Sequence, residues 1–393
     1  MQHAFVIDGV RTPIGRHAGS LAHVRPDDLA ALTVGEAVRR AGVDPELVDE
    51  VILGAANQAG EDNRNVARLA WLLAGFPETV PGVTVNRLCA SGLTAIATAR
   101  QMIASGDADV VVAGGVESMT RAPWVLEKPA KAFAKPGASH DTSIGWRFTN
   151  PRFDADTTLS MPETAERVAG TWGLGREELD EFALRSHQRA VAAIDEGRFD
   201  AEIVGVPLPD GRCLSRDEGP RADTSLEALA RLRPVTGPGG VVTAGNSSPL
   251  NDGAAAIVVA SERFVLRLGL TPRGRLVAAA SVGVAPEVMG IGPVPATRKV
   301  LARARWDLGD LCAVELNEAF ASQALACQRE LDLPPEIVNA DGGAIALGHP
   351  LGASGARLVV TLLGRLERLD GIRGLATMCV GVGQGVALLV ERP

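Results

Sequence analysis

The chain has 393 residues, 46% hydrophobic and 22% charged, with a net charge of −8 and a pI near 5.4. That length exceeds one ordinary core and predicts two or three domains. The acidity argues against a nucleic-acid binder, and no run of about 18 apolar residues is present to span a membrane. Aromatics reach only 4% and Tyr is absent, so Ala, Val and Leu must fill the core, which suits close helix–sheet packing. The five cysteines (Cys89, Cys213, Cys312, Cys327 and Cys379) are odd in number, widely spaced and free of any C-x-x-C. This speaks against a disulfide framework or a cysteine metal site and for a reducing compartment. Residues 1–9 lack a signal-peptide pattern, so the expected location is cytoplasmic. Cys213, Cys312 and Cys327 receive no role.

In chain order, residues 29–41 form an amphipathic helical pattern, and 47–54 read as a helix end, a turn and a strand. Residues 83–89 read as a strand ending in a turn at Cys89, a helix runs to about residue 104, and 109–115 form a buried strand. Residues 120–244, rich in Pro, Gly and charge, read as a long excursion with its own helices, one of them at 176–196. A segment of that length is usually a lid or a binding surface. Residues 251–260 return as a strand of the first half.

The pattern then repeats. Residues 296–305 are amphipathic, 308–315 read as a helix end, turn and strand, and 343–348 lead to His349. A helix follows to about residue 366, then a strand at 374–379 and the glycines of 381–385. Alternating helices and short apolar strands predict α/β units, and the repetition predicts two duplicated α/β halves. The expected division is 1–120 completed by 245–270, an inserted loop domain at 121–244, and 271–393.

Four features carry chemistry. Cys89 stands immediately before a helix, where backbone N–H groups and the helix dipole favour a thiolate; taken alone, it also fits an inert buried thiol. His349 lies in Gly348-His-Pro-Leu-Gly-Ala-Ser-Gly355, between glycines that allow close approach and a proline that fixes the backbone; a turn histidine with no further role fits as well. Cys379 precedes glycines, Gly381 among them, whose N–H groups can hold an anion. Asn317, after the strand ending at 315, can orient a water or a carbonyl, or simply cap the next helix. Together they place a nucleophile, a base, a second thiol and convergent donors at strand ends.

The chain resembles the thiolase family over essentially its whole length. The resemblance rests on Arg11-Thr-Pro-Ile-Gly15, Asn86-Arg-Leu-Cys-Ala-Ser-Gly92, Gly114-Gly-Val-Glu-Ser-Met119, Asn317-Glu-Ala-Phe320 and the run from Gly342 to Gly355. It implies the thiolase fold, a layered α-β-α-β-α core with an inserted loop domain that covers coenzyme A. It implies Cys89 as the nucleophile that becomes acylated, His349 as its base, and Cys379 as the group that protonates the departing enolate. It further implies one oxyanion site at His349 and an Asn317-held water, and another at the N–H groups of Cys89 and Gly381. Arg221, Ser248, Met161, Phe320 and Leu229 resemble residues that meet coenzyme A or the reacting end. Coenzyme A would be a co-substrate, with no metal and no permanently bound cofactor, and the expected partners are acyl-CoA molecules and copies of the chain in a homodimer or homotetramer.

Within the family, residues 60–68, 144–148 and 379–384 resemble the thiolases that act on β-ketoadipyl-CoA, and Ser160 and Pro162 depart from the His-Met-Gly pattern of biosynthetic acetoacetyl-CoA thiolases. The resemblance therefore implies 3-oxoadipyl-CoA as substrate, with a broad-range 3-ketoacyl-CoA or acetoacetyl-CoA thiolase as the rival enzyme and a silent acyl-CoA binder as the non-enzyme. The dicarboxylate needs a cationic partner, and Arg64 and Arg147 are its candidates.

Overall fold

A computed structural model describes residues 2–57 and 60–393. The strands Ala4–Arg11 (β1), Glu50–Gly54 (β2), Gly82–Val85 (β3), Val110–Ser118 (β4) and Asn251–Ser261 (β5) form one side of its main sheet. Gly274–Gly283 (β6), Ala313–Leu316 (β7), Arg373–Val380 (β8) and Gln384–Glu391 (β9) form the other. The lateral order is β7-β8-β9-β6-β1-β5-β4-β2-β3.

The two sides repeat one another pair by pair. In the first, β2 runs parallel to β3 and β4, and β5 is antiparallel to β4 and β1. In the second, β7 runs parallel to β8, and β9 is antiparallel to β8 and β6. The place of β3 is taken there by a single parallel bridge between Val314 and Val338. The sides join where β1 meets β6 at Phe5–Arg275 and Val6–Gly274.

The helices that matter for the site are Pro26–Ala41 (α1), Val66–Leu73 (α2), Ser91–Ser105 (α3), Met161–Thr171 (α4), Arg176–Asp195 (α5), Pro293–Ala304 (α6), Ala321–Glu330 (α7), Ala344–Leu347 (α8) and Leu351–Leu369 (α9). Successive strand residues face opposite ways. Ile257 and Val259 of β5 pack with α3 and α9, and Met378, Leu388 and Val390 of the other half close the same cluster. The intervening Ala256 and Val258 face α1 and α2, while Leu375 and Leu389 face α6 and α7. The result is five layers, α-β-α-β-α. Strands covered on both faces read as unbroken apolar runs, as β4 does from Val110 to Ala113.

The two central helices touch backbone to backbone. A Cβ placed on Gly92 of α3 would lie 2.6 Å from the Gly352 carbonyl oxygen of α9. Only glycine permits that approach. Cys89 and His349 precede these two glycines by the same number of residues, so the duplicated helices carry both to one crossing point.

Arg11 explains its own motif. Its guanidinium is fully buried and pairs with Glu202 at 2.6 Å and Asp217 at 2.7 Å, tying β1 to the segment after α5. Removing one partner would leave an uncompensated buried charge.

Two expectations shift. The strand predicted over 83–89 stops at Val85, and the one predicted over 109–115 continues to Ser118. The seam strands β1 and β6 were not read from the sequence. The Ala-, Gly- and Ser-rich stretch of β6 has too weak a hydropathy contrast to display period two.

Candidate active site

The nucleophile's turn is held by its own side chains. Asn86 accepts from the Leu88 N–H at 2.8 Å and donates to the Ala56 carbonyl at 2.9 Å. Ser91 accepts from the Arg87 N–H at 2.9 Å and donates to the Leu88 carbonyl at 2.6 Å. These bonds, with Leu88 in the left-handed region at φ 46°, end the strand early and deliver Cys89 to the start of α3. The Cys89 sulfur accepts from the backbone N–H groups of Gly381 and of Cys89 itself. Gly381 lies just past β8, and a Cβ there would come within 3.2 Å of both Leu88 and Trp146.

The helix N-terminus does not ionise this thiol at rest, contrary to the expectation from its place before α3. Burial pushes the Cys89 thiol up to about 11; the two N–H groups oppose this and the nearby Glu117 carboxylate adds to it. The thiolate is the form that alkylates. Iodoacetamide labelling of Cys89 in the free protein, followed by peptide mass spectrometry, is therefore expected to accelerate about tenfold per pH unit from pH 7, without a plateau below about pH 9. A plateau already reached at pH 7 would contradict a neutral resting thiol.

His349 is fixed from three sides. Its N–H donates to Asn251 Oδ1 at 2.9 Å, and Gly348 before it takes φ 113°. Its Nδ1 lies 2.6 Å from Ser354 Oγ, and Ser354 donates its hydroxyl hydrogen to the Pro350 carbonyl at 2.9 Å. Ser354 must then accept from Nδ1–H, which assigns the tautomer and leaves a lone pair on Nε2. Nε2 lies 3.3 Å from Asn317 Nδ2. Burial, then the charge of Arg357, pushes His349 down to about 3, so the ring is neutral at rest. The Asn317 Oδ1 is buried and has no hydrogen-bond partner among the described residues. Such an atom calls for a donor from outside the chain.

Cys379, buried near the end of β8, packs with Phe320, Ala319 and Met289, and Met161 closes the cluster. Burial raises its thiol well above the ordinary range, and the charge of Cys89 adds to the shift. The two thiols therefore share one electrostatic site. Ser248 joins this side through its N–H to the Ala319 carbonyl at 2.9 Å.

The structure thus brings together Cys89, Gly381, His349, Asn317, Cys379, Phe320, Met161 and Ser248. Two other sequence candidates are placed by contacts of their own. Arg221 is exposed and held through its backbone N–H by His187 Nδ1 at 3.2 Å. Leu229 is buried in the core beside α4 and α5. Of the two candidate carboxylate partners, Arg64 is exposed and Arg147 is half-buried, with a guanidinium nitrogen 3.3 Å from Asn57 Oδ1.

Sequence reasoning missed the acids that frame the site. Glu117 accepts from Ala56 N–H and Gly352 N–H at 2.9 Å each and from Asn57 N–H at 3.1 Å. Burial still pushes it up to about 7. Glu318 accepts from Ser186, Asn339 and the Ile345 N–H, fixing the loop that carries His349. A carboxylate inside an otherwise apolar strand, as at Glu117, was the available signal. Among the described residues no group of three or more His, Cys, Asp or Glu side chains converges as a metal site, and no helix is long and apolar enough to cross a membrane.

Comparison with known proteins matches the models for the thiolase N-terminal domain over residues 4–263 and the thiolase C-terminal domain over residues 270–392. A beta-ketoadipyl-CoA thiolase of Pseudomonas aeruginosa is 57% identical, with 100% of this chain and 99% of that protein covered. The 3-oxoadipyl-CoA/3-oxo-5,6-dehydrosuberyl-CoA thiolase of Escherichia coli K12 is 53% identical over the full length of both. The crystal structure of human mitochondrial 3-ketoacyl-CoA thiolase in complex with CoA superposes with a TM-score of 0.94 at 39% identity, covering 100% of this chain and 98% of that one. With both domain models matched in order and more than half its residues shared with full-length relatives, the chain belongs to the thiolase family and is an acyltransferase.

Proposed function

We propose that this thiolase cleaves 3-oxoadipyl-CoA with coenzyme A to acetyl-CoA and succinyl-CoA through an acyl group on Cys89. For the chemistry, the observation that carries the proposal is the convergence of the Gly381 and Cys89 N–H groups on the Cys89 sulfur, at the helix crossing that also carries His349. For the substrate, it is the full-length identity to relatives that bear that name.

The steps follow from the neutral resting state. His349 Nε2 takes the Cys89 proton as sulfur attacks the ketone carbon, and the ketone oxygen becomes an anion held by the N–H groups of Cys89 and Gly381. The bond between Cα and the former ketone carbon then breaks. The thioester enolate is held at His349 and a water on Asn317, whose unpaired Oδ1 can accept from that water. Cys379 donates its proton to the enolate carbon, and acetyl-CoA leaves. A second coenzyme A enters, gives its thiol proton to the Cys379 thiolate and takes the acyl group, and Cys89 leaves with the proton returned by His349, which restores all three groups. The cycle is ping-pong covalent catalysis and calls on neither a metal nor a redox cofactor. The high thiol of Cys379 suits a group that must stay protonated until carbanion character develops.

The segment 121–244 supplies the cover for coenzyme A in this reading, with Arg221 near the nucleotide, Ser248 along the pantetheine arm, and Leu229 behind that arm. The chain works in the cytoplasm as a homodimer or homotetramer. Exposed Trp124, Leu126, Phe133, Ile144, Phe148 and Phe153 support assembly, since apolar groups gathered in one segment mark a contact surface. The substrate is tested by steady-state thiolysis of 3-oxoadipyl-CoA beside acetoacetyl-CoA. A kcat/KM at least about tenfold higher on the dicarboxylate is expected from one added charge-assisted contact. Equal rates, or a preference for acetoacetyl-CoA, would remove this substrate and leave the thiolase.

A further inference from the structure

Trp146 and Arg147 stand at a distinctive place. The Trp146 indole donates to the Leu159 carbonyl at 3.0 Å, and its ring edge lies where a Cβ on Gly381 would meet it at 3.2 Å. Trp146 therefore walls the space beside Gly381, whose N–H holds the Cys89 sulfur. The next residue, about 3.8 Å along the backbone, is Arg147.

The Arg147 guanidinium is half-buried and has no carboxylate partner among the described residues. Its one hydrogen bond among the described residues goes to Asn57 Oδ1 at 3.3 Å, which leaves most of its donors without a partner there. The orientation of the Asn57 amide is settled by its neighbours. Nδ2 reaches the Thr142 carbonyl at 3.3 Å and Thr142 Oγ1 at 2.8 Å. A carbonyl only accepts, and Thr142 Oγ1 donates its own hydrogen to the Pro123 carbonyl at 2.6 Å. The amide nitrogen therefore faces Thr142, and the oxygen faces Arg147. The Asn57 backbone is fixed in turn by Glu117, which also holds the start of α9.

Other cations nearby are placed differently. Arg64 is exposed. Arg87 spends its guanidinium on Thr94 and Gln384 at 3.0 Å each. Arg121 pairs with Glu61. Arg147, like Arg87, is half-buried, met only by neutral acceptors and free of an acid, but it makes one side-chain hydrogen bond among the described residues where Arg87 makes two. A neutral orienting group keeps the full positive charge for a ligand, and rigid support lowers the ordering cost of binding.

We propose that Arg147 recognises the terminal carboxylate of a dicarboxylic acyl chain, and that Asn57 is the positioning residue that aims it. This rests on the 3-oxoadipyl-CoA reading, in which the carboxylate stands a pair of methylenes beyond the ketone carbon that Cys89 attacks. A planar guanidinium suits it because it can grip a carboxylate by two parallel hydrogen bonds.

The test is the ratio of kcat/KM on 3-oxoadipyl-CoA to kcat/KM on acetoacetyl-CoA, taken within each variant so that losses of folded enzyme cancel. Arg147→Ala is expected to lower the ratio about 10- to 100-fold, chiefly through KM on the dicarboxylate. Arg147→Lys should recover part of it, because charge remains while the bidentate fork is lost. Asn57→Asp should lower it more than Asn57→Ala, because the new carboxylate would pair with Arg147 and compete with the substrate; a merely structural role would not order these two in that way. If the wild type prefers the dicarboxylate and Arg147→Ala keeps the ratio within about twofold, Arg147 is overturned and the substrate reading stands. If the wild type shows no preference, both are overturned.

Discussion

Cys89→Ala is expected to lose both halves of the reaction: cleavage of the carbon–carbon bond and exchange of the acyl group between coenzyme A molecules. The expected fall in kcat is on the order of 10⁴-fold or more, as for other covalent catalysts stripped of their nucleophile. The fold should survive, because the turn around Cys89 is held by Asn86 and Ser91, not by the sulfur. An unchanged far-UV spectrum alongside the lost activity checks this. Cys89→Ser sharpens the point. The hydroxyl keeps the shape and accepts the same N–H groups, yet its far higher pKa and weaker nucleophilicity should leave it nearly as inactive.

Cys379→Ala is expected to separate the two halves. Its sulfur is buried among Phe320, Ala319 and Met289, and the methyl group left by the substitution has no proton to donate. Carbon–carbon cleavage should fall about 10²- to 10⁴-fold, the usual worth of a positioned general acid. Acyl exchange between acetyl-CoA and labelled coenzyme A needs no carbon protonation, so it should fall far less. Equal losses in both assays would show that Cys379 acts on the Cys89 step instead. The split cannot come from misfolding, which would lower both together.

Much of this site was legible in the sequence because the fold is written twice. Once the strand–helix–strand run around Cys89 is matched to the one around His349, the pairing of nucleophile and base follows, since equivalent positions of crossed equivalent helices must lie together. Gly92 and Gly352 supply the close approach. The protonation state was not legible. The position of Cys89 before α3 suggested a thiolate, but burial and Glu117 outweigh the helix N-terminus, and no local pattern announces burial in the centre of five layers. The supporting residues were hidden for a related reason. Asn251 holds the His349 backbone from 98 residues away, and Glu117 reaches Gly352 across 235. Arg147 could be named from its segment but not ranked above Arg64 until their surroundings were known.

The central claim is a succinyl group on Cys89. Mixing the protein with 3-oxoadipyl-CoA in the absence of free coenzyme A, quenching in acid and mapping the peptides tests it directly. Acetyl-CoA released in step with a succinyl increment on the Cys89 peptide is the predicted result, with no increment in Cys89→Ala. Acetyl-CoA released while Cys89 stays unmodified would contradict covalent catalysis at this residue. No cleavage of 3-oxoadipyl-CoA, with Cys89 acetylated by acetoacetyl-CoA, would contradict the substrate while keeping the nucleophile.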